Sequence, residues 1–464
     1  MRIPKKFELM IISIVLINLI VISVIAYTLL SPKAKSVSIK PEDYEKALKY
    51  SIIFYDANKC GKEVSSDNAF DWRGPCHTND GASINLDLSG GFHDGWGHVK
   101  YGITQSYTAS MLCWSFYEYQ NVIDRTGNKD KMLSTLKYFT DYLLKCHVNE
   151  STFYYQIGDD LEDNIYLGPP EKQTEKRPVI CVADSTHPAS DICGETSSAL
   201  SLMYLNYKDK DLAYANKCLL AAKELYIMGK NNPGFSEKQS SYISGSFYDD
   251  LTWAALWLYQ IDKEKQYIDD AEEFVLKSDR YENVPLKNNW TVCWDDVSLA
   301  CYLKLYEITK NQIYADAINY NLDYWKNDLQ TTRGGLKYLT DDGVLRYAAA
   351  ESMIAMQWYK VTSDDSLKTF AKSQIDYILG ANPTKTSYII GVGKNPKNIL
   401  HRAANGNTEE GKNEHILYGA LLGGPTAEDK FIDERDSYKN TGVTLDYNAV
   451  IVGAIASILE SSER

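Results

Sequence analysis

Beyond residue 40, apolar positions recur with the period of a helix almost throughout. Pro41 sits at a favoured first-turn position, and Tyr44, Ala47, Leu48, Ile52 and Tyr55 then make one stripe. The pattern predicts twelve helices near 42–58, 104–125, 130–147, 193–207, 209–229, 247–261, 264–278, 295–308, 311–328, 343–361, 364–379 and 445–461. The joints alternate. Those after the second, fourth, sixth, eighth and tenth helices are a few residues long. The others, 59–103, 148–192, 230–246, 279–294, 329–342 and 380–444, are long. Short joints make antiparallel neighbours, so in an up-down ring every long joint emerges at the same end. The expectation is an all-α fold, an (α/α)6 barrel of six hairpins over residues 41–464, with a loop-built cleft at one face. Binding and catalytic groups are favoured on such loops.

The amino terminus departs from this pattern. Leu9 to Leu30 is an apolar run broken only by Ser13, Asn18, Ser23 and Thr28, with Arg2, Lys5 and Lys6 before it and Lys33 and Lys35 after it. It is longer than the apolar core of a cleavable signal and about as long as a bilayer requires. The expectation is a transmembrane signal anchor at 9–30, with a basic cytoplasmic end at 1–8, a tether at 31–40 and the barrel outside the cell. A cleaved segment would leave the barrel secreted.

Composition narrows the function. The 464 residues carry 49 basic and 62 acidic side chains, a net charge of −13, which excludes a phosphate backbone as the natural partner. Thirty-five tyrosines against 12 Phe and 9 Trp suit sugar surfaces and a Tyr-rich core equally. Nine cysteines include no Cys-x-x-Cys, and no zinc-ligand spacing stands out. Cys60 and Cys76 share one loop and are candidates to pair; the metal ligands are unknown.

The long joints carry the motifs. The first reads Phe70-Asp-Trp-Arg-Gly and then Asp87-Leu-Ser-Gly-Gly-Phe-His-Asp-Gly-Trp-Gly-His-Val-Lys-Tyr-Gly102. Further on come His187-Pro-Ala-Ser-Asp, Gly194-Glu-Thr, Leu345-Arg-Tyr-Ala-Ala, Gln374-Ile-Asp-Tyr-Ile-Leu-Gly-Ala-Asn-Pro383 and Asp446-Tyr-Asn-Ala449. In this order over 41–462 the motifs resemble those of the glycoside hydrolase family 9 cellulases. The resemblance implies an (α/α)6 barrel with an open cleft that cleaves β-1,4-glucans with inversion. Inversion uses one carboxyl group as acid and another as base.

The same alignment removes the chemistry. The family's base is the second Asp of Asp-Ala-Gly-Asp, which here reads Asp94-Gly95-Trp96-Gly97, so the base position is Gly97 and the first Asp survives as Asp94. The family's acid is a Glu in a pattern matched by Phe431, Asp433, Tyr438, Thr444, Asn448 and Ala449; its position is Gly442. The family's His-x-Arg appears as Leu400-His401-Arg402, with Leu400 at the histidine. Its Asp-His is Asp163-Asn164, and a stacking Trp is Asp342. Trp294 and Tyr447 stand at aromatic positions, and Trp96 is an added ring. The resemblance thus leaves Asp94, Trp96, Trp294, Arg402 and Tyr447 as candidates for binding a β-glucan or related polysaccharide.

The reading is a membrane-anchored extracellular pseudoenzyme. The alternatives are a surface structural or interaction protein, with an unknown protein partner, and a residual glucanase that uses a relocated carboxylate such as Asp94, Asp436 or Asp446. No cofactor is required, and structural calcium, frequent in the family, is compatible with the Asp- and Asn-rich joints.

Overall fold

The computed structural model describes residue 18 and residues 37–237, 241–277, 286–407 and 411–462. Apart from Asn18, the apolar run 9–30 lies outside the described residues. Among the described residues no helix is long and apolar enough to cross a membrane.

Residues 38–464 form one unit. Its long helices are α1 (Pro41–Ile53), α2 (Gly102–Arg125), α3 (Lys129–Cys146), α4 (Ser190–Tyr207), α5 (Leu212–Asn231) and α6 (Tyr248–Asp262). After these come α7 (Lys265–Val275), α8 (Ser298–Thr309), α9 (Gln312–Asp323), α10 (Val344–Thr362), α11 (Asp365–Ile378) and α12 (Ile451–Ser461). The even-numbered helices pack on one another in sequence, and α12 closes the ring against α2. They are buried on nearly every face: α10 hides everything from Val344 to Trp358 except Arg346. The odd-numbered helices lie outside and bury one stripe, in α3 Met132, Leu133, Leu136, Phe139, Leu143 and Cys146. Area burial on this scale, at roughly 25 cal/mol per Å² of apolar surface, is what holds the inner ring without a disulfide. The fold is mostly helical and consistent with the (α/α)6 barrel expected from the joints.

Three expectations need correction. The first helix leaves the α conformation at Ile53 and runs on as a 3-10 turn, Phe54–Asn58; the last is preceded by a separate 3-10 turn, Asp446–Asn448. The early long joints are not all loop. Strands β1 (Lys100–Tyr101), β2 (His147–Asn149), β3 (Thr152–Ile157) and β4 (Val179–Ala183) form a small antiparallel sheet in which β3 pairs with the other three. The run Thr-Phe-Tyr-Tyr-Gln-Ile is rich in aromatic and β-branched residues, which favour a pleated, half-buried surface. Finally, Cys60 and Cys76 are free thiols, like the other seven cysteines.

Candidate active site

Three chain segments converge at one end of the ring. The loop before β1 carries Asp94 to Gly97. Its backbone is held by Leu445 N donating to Asp94 O (3.0 Å) and Arg402 N donating to Gly95 O (3.0 Å). Gly95 has φ +123, in the region that favours glycine, and a Cβ there would lie 2.6 Å from Val443 O. Leu400 N donates to Thr441 O (2.9 Å), and Leu400 bridges Gly442. Gly97, Leu400 and Gly442, the three positions that the resemblance aligns with catalytic residues of the family, are therefore neighbours in space.

Asp94, Trp96, Gly97, Trp294, Arg402 and Tyr447 line one cavity of about 290 Å³. The fold also brings Tyr101, Asp160, Asp163, Tyr242, Asp342 and Arg346 to its walls. Gly442 and Leu400 are not in the lining, because Trp96 stands over the first. A Cβ on Gly442 would meet Trp96 Cζ2 at 2.9 Å and Nε1 at 3.1 Å, and Tyr438 O at 2.2 Å. The Trp96 ring is braced edge-on by Tyr438, with centroids 5.5 Å apart.

Gly97 is covered from another direction. Asp159 caps the short helix Asp160–Asp163 by accepting from Leu161 N and Glu162 N. One turn on, a Cβ on Gly97 would lie 2.3 Å from Asp163 Oδ2. That carboxylate accepts from His98 N (2.8 Å) and Arg402 Nη1 (2.9 Å) through Oδ2, and from Gln173 Nε2 (3.0 Å) through Oδ1. Arg402 also donates to the carbonyls of Asp163 (2.7 Å) and Tyr166 (3.0 Å) and to Asn164 Oδ1 (2.8 Å). Its guanidinium is committed to this loop.

Asp94 is buried at the floor, where Tyr242 Oη donates to Oδ2 at 2.7 Å. Burial pushes the Asp94 carboxyl up to about 7, against the opposing effect of that hydrogen bond. The Tyr242 ring is wedged edge-on between Tyr101 and Trp294, each with centroids 5.0 Å away. Tyr447 reaches the cavity, but its ring is covered by the Arg346 guanidinium, 4.7 Å away. Arg346 in turn pairs with Asp446 at 2.7 Å, so that carboxylate serves structure.

His401, next in sequence to Leu400, is committed to structure. Its Nδ1 caps the turn 402–405 by accepting from Ala404 N (3.2 Å), and Nε2 meets Asn58 Oδ1 at 2.8 Å. Burial drives the imidazole down to about 3, so it stays neutral. His98 is likewise buried and held well below the ordinary imidazole range by burial.

A second cluster lies beneath the Asp94 loop. One ligand atom each from Cys60, Cys76, His77 and His93 all lie within 4.8 Å of one another. His77 Nδ1 and His93 Nε2 are 2.8 Å apart, while His77 Nε2 and His93 Nδ1 are buried without partners. Two thiols and two imidazoles form the donor set of a closed tetrahedral zinc site, and are too soft for calcium. The adjacent Cys76-His77 pair was the available sequence signal. It was missed because Cys60 and His93 stand 16 residues away on either side, with no standard spacing. Tyr242 belongs to no motif and could not be placed from sequence, whereas Asp163 was visible only as half of an eroded Asp-His.

Residues 44–455 match the model of glycosyl hydrolase family 9. Among curated proteins, Endoglucanase A of Bacillus pumilus is 34% identical over 90% of this chain and 66% of its own length. Endoglucanase 2 of Arabidopsis thaliana is 30% identical over 91% of this chain and 90% of its own. The chain thus spans just under two thirds of the Bacillus relative. Among solved structures, the cellulase Cel9M of C. cellulolyticum superposes with a TM-score of 0.88 at 53% identity, covering 90% of this chain and 98% of that one. The family match, the identity to Cel9M and the barrel together show that this chain belongs to glycosyl hydrolase family 9.

Proposed function

We propose that the protein is a catalytically degenerate member of the family, which binds a β-1,4-glucan or related polysaccharide in the cleft without efficient hydrolysis. The observation that carries this reading is steric. Where side chains at 97 and 442 would emerge, the space is already taken, by Asp163 in one case and by Trp96 and the Tyr438 carbonyl in the other. Inverting hydrolysis needs a protonated carboxyl on the leaving oxygen and a carboxylate on a water at the opposite face. Asp163 is spoken for by Arg402, His98 and Gln173, and Tyr242 donates to Asp94 where a water would otherwise be held. Positioned acid and base groups are each worth roughly 10²–10⁴ in rate; glycine supplies neither.

Sugar binding is supported by Trp294 and the added ring of Trp96 on one cavity and by the relatives. Cel9M has been solved with cellobiose, and the endoglucanase CelQ of Clostridium thermocellum, 31% identical, with cellotetraose. We assign the apolar run 9–30 as the anchor that would hold the barrel outside the cell. The cysteine-histidine cluster is a structural zinc site: Cys60, Cys76, His77 and His93 would tie together the loop that ends in Asp94, and the ion takes no part in a reaction step.

Calorimetric titration with cellohexaose tests the reading. Saturable heat that falls at least ten-fold in affinity in Trp294→Ala is expected, about 1.4 kcal/mol. An absence of heat with cellohexaose and other glucans would favour the structural or interaction role instead, to which the covered Tyr447 ring and the committed Arg402 already lend weight.

A further inference from the structure

The charge balance of the cleft is one-sided. Asp94, Asp160, Asp163 and Asp342 line it together with two cations, Arg346 and Arg402. Each arginine is neutralised by its own carboxylate: Arg402 by Asp163 at 2.9 Å and Arg346 by Asp446 at 2.7 Å. No lysine or arginine among the described residues pairs with Asp160 or Asp342. Asp160 accepts from the Tyr101 hydroxyl and from Ser241 Oγ (2.8 Å), both neutral donors. Asp342 is half-buried and takes a long contact from Tyr447 Oη, at 3.5 Å, while Lys439 on the same side is bound to Asp341 at 2.6 Å and acts on Asp342 only from further off. Asp94 adds less to this excess, because burial lifts its carboxyl to about 7 and its Oδ1 is enclosed beneath the cavity floor.

A concave site with low-dielectric walls and an excess of one charge concentrates ligands of the opposite sign. Asp342 stands where the family resemblance puts a stacking tryptophan. The change removes an apolar platform for a neutral sugar face and adds a carboxylate. Trp294 and Trp96 keep aromatic faces in the same cavity, and such faces attract both sugar C–H groups and cations.

We propose that the cleft takes a cationic polysaccharide, a chain of β-1,4-linked 2-amino-2-deoxyglucose, in preference to neutral cello-oligosaccharide, with Asp160 and Asp342 as the residues that set the preference. This rests on the sugar-binding reading above and names its ligand. A β-1,4-linked glucosamine chain has the equatorial geometry of cellulose, and one hydroxyl per ring becomes an ammonium that can donate to a carboxylate in a charge-assisted bond. Its N-acetylated counterpart has the same shape without the charge.

The test is calorimetric titration of the full chain with the glucosamine hexamer, the N-acetylglucosamine hexamer and cellohexaose, at low and at physiological salt. The glucosamine hexamer should bind about ten-fold more tightly than cellohexaose at low salt. The margin should narrow as salt rises and disappear in Asp160→Asn/Asp342→Asn, whose folding is checked by circular dichroism. Cellohexaose binding as tightly as the glucosamine hexamer would overturn the proposal and leave sugar binding standing. A preference that survives both substitutions would also overturn it, assigning the effect to the chain's overall charge of −13. No binding of any of the three would refute the sugar-binding reading itself.

Discussion

A methyl group on Gly97 reports whether Asp163 fills the space beside the position that we propose has lost its base. Its carbon would lie 2.3 Å from Asp163 Oδ2 and 3.6 Å from Arg402 Nη1. The carboxylate cannot swing aside freely, because Arg402, His98 N and Gln173 hold it. Gly97→Ala should therefore destabilise by about 1–3 kcal/mol, the usual range for overpacking. Asp163→Ala leaves the Arg402 guanidinium, only 8% exposed, without its partner, which costs about 3–5 kcal/mol. If the two effects were independent, the double variant would lose about 4–8 kcal/mol. The contact makes them coupled. With Asp163 shortened the new methyl group meets open space, so the double variant should be no less stable than Asp163→Ala alone, a coupling of about 1–3 kcal/mol. Urea unfolding of the four chains, read as midpoint shifts at constant slope, measures it. Additivity within about 0.5 kcal/mol would mean that Asp163 does not occupy the space beside Gly97.

Other expectations follow from the same geometry. Gly97→Asp with Gly442→Glu, the substitution that alignment alone would recommend, should restore no glucanase activity; product from cellohexaose would show that the filled positions yield easily. Glu195 and Glu351 lie within the barrel, where burial lifts each carboxyl to about 8. Their folded values exceed the unfolded ones, so the stability they contribute is complete below about pH 4.5 and is lost as pH rises through about 8. Glu351→Gln should flatten the fall in thermal midpoint between pH 5 and pH 9, and an unchanged slope would discount that group. Chelation should release one zinc per chain and lower the thermal midpoint, an effect absent in Cys76→Ser; a chain purified without zinc and indifferent to chelator would contradict the assignment of the cluster.

Much of the barrel was legible because its signal is repeated: stretch after stretch with the helical period, and joints that alternate in length. The small sheet escaped because β1 and β2 are only two and three residues long, and the helix ends at Ile53 and before Ile451 moved because 3-10 turns of five and three residues are too short for their three-residue period to show in an apolar stripe. At the site, the alignment of Gly97 and Gly442 with the family's carboxylates could be read from motif spacing, yet what surrounds the two glycines could not. Asp163 comes from a different joint, and Trp96 turns back over a residue 346 positions away. Whether a vacated position is open or filled is a property of packing between loops, which carries no periodicity. His401 shows the converse: it stands within the stretch aligned with the family's His-x-Arg, yet it is a buried turn cap.

The central claim is that this cleft binds without cutting. Its most direct test is prolonged incubation of the protein with cellohexaose, with chain lengths resolved by mass spectrometry. Recovery of the hexamer without shorter sugars is the predicted result. Shorter sugars, formed in proportion to protein and lost in Asp94→Asn, would contradict it and assign the chain a working carboxylate after all.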